Sequence, residues 1–471
     1  CYLNQNGFNF NEWIITQPDA IYLNPIGFVQ KNEFIKQYRY IQYLKQHGWF
    51  GKFITPGFLA TRITESQVNR QIVSIRQILF EVTDSCNLNC TYCGYGDLYG
   101  DYDKRGNKNL SFSTAKRLLD FFIEKWKKYN PNPNYRNVYI GFYGGEPMIN
   151  MKVIENIVEY LHGINLPGYH FTFNMTTNAV LLNKHVDFFV KNEFKLLISL
   201  DGDEKNNGYR LDKANSNAFN RIVQNLLGLR SKYPDYFERN VSFNAVLHNL
   251  NSVKSIHHFI KCMFNKTPRI AQLNPQGIKE SKREEFEQYF KSVRKEFDDN
   301  IKLTSIEDDM FLLAPGYSSL DSFLKNYTRH SFHTYNDLFR DSTPRIPTGT
   351  CFPFAKKIFL TVNGKLLPCE RIGQQYHLGN VTSHNVILDF SKIVERYNNY
   401  YDRMEPQCVR CNNSKGCDQC IFLIPNLDKK PVCNMFLNED GFRSMVAEQL
   451  GFLEEHPYRY KELVKTVNFE W

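Results

Sequence analysis

The sequence has no long apolar run. Its 471 residues are 42% hydrophobic, yet no stretch approaches the length of a membrane-spanning helix, which excludes a helical membrane protein. The basic-then-apolar pattern of a signal peptide is also missing, since the chain opens Cys1-Tyr2-Leu3-Asn4-Gln5-Asn6. A cytoplasmic location is the expectation, and a first residue of Cys rather than Met points to residues missing ahead of it. Dense basic runs interleaved with aromatics are absent too. The net charge of +9 therefore reads as a Lys-rich solvated surface or a preference for an acidic partner, and nothing argues for nucleic acid. The twelve cysteines are not scattered as in a disulfide-built domain. Most sit in tight clusters, which in a chain without an export signal favours metal ligation. The length exceeds what one core usually serves, so two or three domains are expected.

What is present begins with Cys86-Asn87-Leu88-Asn89-Cys90-Thr91-Tyr92-Cys93. It follows a run that reads as a buried strand, Ile78-Leu79-Phe80-Glu81-Val82-Thr83. Three close thiolates on a loop after a strand suit a 4Fe–4S cube, one iron of which stays open to a small chelating molecule. A zinc site with a distant fourth ligand is the competing reading. From residue 75 to about 298, strand and helix patterns alternate. Strands are expected at Gln77–Val82, Asn137–Tyr143, Tyr169–Met175, Lys195–Leu200, Val241–Leu247 and Arg269–Leu273. Helices are expected at Phe112–Lys128, Lys152–His162, Lys184–Asn192, Ala218–Ser231, Val253–Phe264 and Lys282–Phe297. This rhythm argues for a parallel sheet with outer helices and a site at the C-terminal strand ends.

The short polar stretches fall at those ends. Gly144-Gly145-Glu146-Pro147 follows the second strand. Two glycines let the backbone approach a ligand closely, and a carboxylate with exposed carbonyls there would accept hydrogen bonds from an ammonium group. An ordinary turn is the plainer reading. Thr176-Thr177-Asn178 and Ser199-Leu200-Asp201-Gly202 follow the third and fourth strands. Arg210 stands eight residues beyond Gly202, with a fork that suits a carboxylate unless it is simply a surface arginine.

Seven more cysteines lie further on: Cys351, Cys369, Cys408, Cys411, Cys417, Cys420 and Cys433. Cys369 closes a G-x4-C run from Gly364, with Asn363-Gly364 as a hairpin turn. A zinc ribbon on Cys408, Cys411, Cys417 and Cys420 would leave three of the seven unexplained. Cys262 sits in a helical pattern and is expected to be a buried hydrophobe.

Over residues 75 to about 435 these motifs resemble the radical S-adenosylmethionine (SAM) enzymes that carry a C-terminal SPASM domain. The resemblance implies an α/β fold: a partial (β/α)6 barrel, open on one side, a cysteine-rich SPASM domain, and a small N-terminal α+β extension. It implies SAM and three 4Fe–4S clusters, about twelve irons per chain. Cys86, Cys90 and Cys93 would hold the SAM-binding cluster, which in that family cleaves SAM to a 5′-deoxyadenosyl radical. Cys351, Cys369 and Cys420 would hold an inner auxiliary cluster with no evident fourth ligand. Cys408, Cys411, Cys417 and Cys433 would hold an outer one. Cofactor contacts would come from Tyr92, Gly144, Gly145, Glu146, Pro147, Asn178, Ser199 and Arg210. Glu370 stands where sulfatase-maturating members place an Asp that acts as a base, and is the candidate catalytic residue; an ion pair with Arg371 or another neighbour is the alternative. Two departures stand out. Asp203-Glu204-Lys205-Asn206-Asn207 replaces the family's Pro and His, which loosens the alignment of Arg210, and Cys417 to Cys420 is x2 where the family has x3.

The expected organisation is an extension at 1–74 that could grip a leader peptide, the barrel at 75–298, a linker covering its mouth at 299–346, the auxiliary-cluster domain at 347–435 and a helical tail at 436–471. The implied activity is hydrogen abstraction from a ribosomally made precursor peptide, installing a thioether or carbon–carbon cross-link with an external electron donor. The alternatives are formylglycine formation and a non-catalytic leader-binding scaffold. The run Cys93-Gly94-Tyr95-Gly96-Asp97 and the Asn, Lys and Tyr bias resemble peptide maturases of Bacteroidetes-like bacteria.

Overall fold

The computed structural model describes residues 14–23, 27–46, 62–130, 135–300, 305–313, 315–324, 327 and 350–464. The chain divides into two units, Cys1–Gly57 and Phe58–Trp471. In the first, strands β1 (Ala20–Leu23) and β2 (Gly27–Gln30) pair antiparallel and lead into a helix, Lys31–Gln46. Ile14 and Ile21 are its buried residues, packed by Phe34, Ile35 and Tyr38. Cys1 and the histidine- and aromatic-rich stretch at His330, Phe332, His333 and Tyr335 lie outside the described residues, as does much of the expected linker.

The second unit is organised by one ten-stranded sheet. Its strands are β3 (Gln77–Thr83), β4 (Arg136–Gly144), β5 (Tyr169–Thr177), β6 (Lys195–Ser199), β7 (Val241–Leu247), β8 (Arg269–Gln272), β9 (Lys357–Leu360), β10 (Lys365–Leu367), β11 (Gly379–Val381) and β12 (Val386–Leu388). From β3 to β8 the strands pair in sequence order and parallel. β3 is buried along six of its seven residues. That near-continuous apolar run is what a parallel strand covered on both faces requires. The covering helices follow the same logic. Phe112–Tyr129 starts at Ser111, whose side chain accepts the Thr114 N–H, and buries Ala115, Leu118, Leu119, Phe122, Ile123 and Trp126 as one stripe. Each fully buried Leu or Phe of this kind contributes roughly 1.5–3 kcal/mol.

The six expected strands and five of the six expected helices appear within a residue or two; Val186–Lys191 starts two residues late because a 3-10 turn at Leu182–Lys184 precedes it. The sixth, Lys282–Phe297, is instead two helices, Arg283–Tyr289 and Val293–Asn300. The break has a tertiary cause: Phe290 leaves helical geometry to form a β-bridge with His248. Helix Pro234–Asn240 was not expected. Cys262 is exposed rather than buried, on helix Val253–Phe264 with its sulfur 3.7 Å from His258 Nδ1. A four-residue spacing puts both on one face of the helix, and that face is the solvent side. Helix Glu65–Val73, from the stretch ahead of the barrel, buries Val68 and Ile72 in the same core as the sheet.

β9 pairs parallel with β3, and β9 to β12 continue antiparallel, so the C-terminal region extends the barrel sheet. The Asn363-Gly364 turn joins β9 to β10, with Gly364 at φ +78° and a Cβ there only 2.6 Å from the Val381 carbonyl. The long helix Phe390–Cys408 buries Ile393, Tyr397, Tyr400, Tyr401 and Met404 and ends on a cysteine. Among the described residues no helix is long and apolar enough to cross a membrane.

Candidate active site

The loop after β3 is pinned before it reaches its cysteines. The Asp84 carboxylate accepts the N–H groups of Gly106 (2.8 Å) and Lys108 (2.7 Å), so the returning chain is clamped to the loop's start. Further on, Asn89 N–H donates to Leu211 O and Thr91 N–H to Tyr209 O. The loop therefore has fixed ends, and Cys86, Cys90 and Cys93 all line one cavity of about 810 Å³, open mouth included. Gly144, Gly145, Asn178, Ser199, Arg210 and Glu370 line it as well. Residues from four strand ends and from the C-terminal hairpin thus meet in one place, and the volume suits a cluster with a small ligand. Burial pushes the Cys86 thiol up to about 11 and Cys90 up to about 12. Thiols so placed ionise readily only against a cation or metal.

The two glycines serve the loop itself. Gly145 N–H donates to Thr83 O at 2.9 Å and Glu146 N–H to Ser85 O at 2.8 Å. Gly144 has φ +140°, and a Cβ on either glycine would run into backbone, the Thr83 carbonyl for Gly144 and the Ser85 carbonyl for Gly145. Gly145→Ala is therefore expected to lower stability by about 1–3 kcal/mol, the usual cost of overpacking, with no SAM present. A denaturation midpoint equal to that of the parent would show that the backbone approach is slack.

Glu146 is buried and does not face the cavity. Its Oε1 accepts from Met148 N (3.1 Å) and Thr177 Oγ1 (2.8 Å), and its Oε2 from Asn178 N (2.8 Å). Burial pushes its pKa up to about 7 against those three donors. The carboxylate read from sequence as an ammonium acceptor is thus spent on fixing β4, the turn after it and the end of β5. Pro147 is buried in that turn. Asn178 uses its side chain differently, donating from Nδ2 to Asn87 Oδ1 at 2.8 Å inside the cysteine loop.

Asp201, quoted in sequence only as part of a polar stretch, is a buried hub. Arg210 Nε and Nη2 donate to it at 3.0 and 2.9 Å. Tyr92 O–H and Val246 N–H also donate to it, and His248 Nε2 lies 3.6 Å away. Arg210 is therefore no surface arginine. Its fork already grips one carboxylate, and its guanidinium sits 5.6 Å over the Tyr92 ring. Ser199 ends β6 on the cavity wall.

The later cysteines do not all share one cavity. Cys408, Cys411, Cys417 and Cys433 line one small cavity. Cys420 does not line it. Cys351 lies close enough to Cys420 to act on it electrostatically, and both act on the buried Tyr397 and Tyr401. Ile421 N–H, next to Cys420, donates to Thr350 Oγ1, next to Cys351, at 2.6 Å. Cys369 and Cys93 are each near enough to Tyr102 to act on it electrostatically. A ribbon using Cys420 with Cys408, Cys411 and Cys417 does not match this division. Among the described residues no three His, Cys or carboxylate groups converge as for a single ion, whereas the corners of a cube are spread apart. The thiols present fit clusters at both cavities. Glu370 pairs with Lys357 at 2.9 Å rather than with Arg371, and although burial works to raise its pKa, Lys357 holds it below the ordinary value. Arg105, Lys357 and His248 carried no motif and were not found from sequence.

The family model of the Radical SAM superfamily matches residues 80–263. The chain is 34% identical over 134 residues to an uncharacterized protein of Methanocaldococcus jannaschii (28% of this chain, 41% of that protein). It is 29% identical over 157 residues to a cysteine-type anaerobic sulfatase-maturating enzyme of Clostridium novyi (32% and 40%). It is 24% identical over 192 residues to the radical SAM cyclopropyl synthase TigE of Paramaledivibacter caminithermalis (40% and 38%). The chain spans about two fifths of the length of these curated relatives. The solved structure of anSMEcpe with bound AdoMet superposes with a TM-score of 0.54 at 18% identity, covering 84% of this chain and 96% of that one. With bound AdoMet and the Kp18Cys peptide, the score is 0.52 at 17% identity, covering 83% and 98%. These likenesses show the fold: an α/β radical SAM partial barrel with a cysteine-rich C-terminal region.

Proposed function

We propose, taking the radical SAM barrel as premise, that this chain is a SAM-dependent enzyme that abstracts hydrogen from a residue of a precursor peptide and closes a thioether or carbon–carbon cross-link. The observation that carries the reading is the single cavity shared by Cys86, Cys90, Cys93 and Glu370, which joins the barrel's strand ends to the C-terminal cysteine region. The peptide class is supported by the sulfatase-maturating enzyme and TigE among the relatives, and by the peptide in one anSMEcpe structure. In this reading a cluster on Cys86, Cys90 and Cys93 supplies, with SAM, the hydrogen-abstracting chemistry. The chain's own residues position and exclude water. The Gly145 and Glu146 backbone bonds hold the cysteine loop, Asn178 braces it through Asn87, and Tyr92 with Arg210 form the floor around Asp201. Glu370, kept ionised by Lys357, would accept the proton released when the substrate radical is oxidised.

Formylglycine formation is the second reading, favoured by the placing of Glu370 on the cavity wall directly after Cys369. One experiment separates them. After anaerobic iron–sulfide reconstitution, about twelve irons per chain are expected on the ligand rules. The enzyme is then supplied with a candidate precursor peptide sought among the neighbouring reading frames, SAM and dithionite. Loss of two hydrogens from the peptide, with no reaction toward a hydrazide, marks a cross-link, and a hydrazide-reactive aldehyde marks formylglycine. About four irons with bound zinc would refute the auxiliary clusters, and no 5′-deoxyadenosine would refute both readings.

A further inference from the structure

Arg105 carries a charge that no carboxylate among the described residues answers. Its Nη2 donates to Cys93 Sγ at 3.2 Å, and its guanidinium carbon lies 5.0 Å over the Tyr95 ring. Tyr95 is itself fixed by donating to Glu81 Oε1 at 2.6 Å. Among the described residues Arg105 forms no ion pair, and its Nε is buried without a hydrogen-bond partner. The contrast is with Arg210, whose fork is filled by Asp201. The position of Arg105 is also imposed, because the next residue, Gly106, is clamped to Asp84.

Arg105 is half-buried with its Nε enclosed, and a guanidinium partly drawn out of water without a counter-charge is costly, so an anion is favoured there. The anion the site would provide is the cluster itself. A cube on three thiolates is anionic, and it gains one more negative charge when an external reductant delivers one electron. Charge and hydrogen bonds at the sulfurs set the potential of such clusters, and a cation at a ligand sulfur favours the reduced state.

We infer that Arg105 raises the reduction potential of the cluster held by Cys86, Cys90 and Cys93, acting as a positioning residue through Cys93 Sγ. This rests on the radical SAM reading. The test is an anaerobic reductive titration followed by electron paramagnetic resonance on the parent, Arg105→Lys and Arg105→Met. The signal that changes on adding SAM identifies the barrel cluster. Arg105→Met is expected to disfavour reduction about tenfold, a midpoint about 59 mV lower for one electron, with iron content unchanged. Arg105→Lys keeps the charge and should recover most of that shift. An unchanged midpoint in Arg105→Met, or an equal fall in both variants, overturns the inference. Should Arg105→Met fail to take up iron, Arg105→Gln is read in the same way. Failure of both to load would make Arg105 an assembly residue and overturn the inference equally. A parent with no SAM-responsive signal removes the radical SAM reading and this inference together. A SAM-responsive parent with a midpoint insensitive to Arg105 removes only the inference.

Discussion

Asp201→Ala is expected to destabilise the protein by about 3–5 kcal/mol, the cost of breaking a buried pair by removing one partner. Asp201 is 0% exposed and Arg210 6%. The variant strands the Arg210 guanidinium in the interior and leaves the Val246 N–H, which donates to Asp201 Oδ1 at 2.9 Å, without its acceptor. Charge and cavity effects separate in the double variant Asp201→Leu with Arg210→Met, which should recover much of the loss because no unpaired charge remains. The measurement is the urea midpoint at constant slope. A double variant as unstable as Asp201→Ala would mean that lost packing dominates. The pH dependence has a definite sign. Burial alone would raise the Asp201 pKa, but Arg210 and His248 hold it down to about 2. A carboxylate depressed in the folded state contributes stability above its unfolded value near 3.9, and that contribution drains away as pH falls toward 2. The gap between parent and Asp201→Ala should therefore narrow over that window.

Cys90→Ala and Cys411→Ala should part company completely in their products. Cys90 lies in the barrel cavity and Cys411 in the separate cavity of Cys408, Cys417 and Cys433. With dithionite and SAM, Cys90→Ala is expected to make no 5′-deoxyadenosine. Cys411→Ala should still make it while yielding no modified peptide. Both products are quantified by mass spectrometry in one anaerobic assay. The structure says why the second variant can keep its barrel site. The ties from the C-terminal region to the cysteine loop run through Asn363 and Lys365, which donate to Asp103 at 2.8 and 2.7 Å, and Gln374 N–H, which donates to Asp101 O. None of these lies between Cys408 and Cys433. A lost cluster can still unfold its surroundings, so circular dichroism of the reconstituted variant is the control. Full peptide modification by a folded Cys411→Ala protein would show that the outer site is not needed for turnover.

The patterns that could be read from the chain alone were the local ones. Apolar runs of strand length alternating with helical stripes predicted β3 to β8, because each element's buried face repeats along its own sequence. The Asn363-Gly364 turn was legible because a positive φ needs glycine. Cysteine spacing located both thiol sets. Three matters lay beyond such patterns. The pairing of β9 with β3 joins residues nearly three hundred apart, and nothing in either strand names its partner. The sorting of Cys420 away from Cys417, only three positions earlier, depends on where the chain turns after helix Phe390–Cys408. The roles of Glu146, Asp201 and Arg105 were set by what surrounds them. A carboxylate or guanidinium has the same formula in any sequence, and only burial and neighbours decide whether it caps a turn, holds an arginine or faces a sulfur.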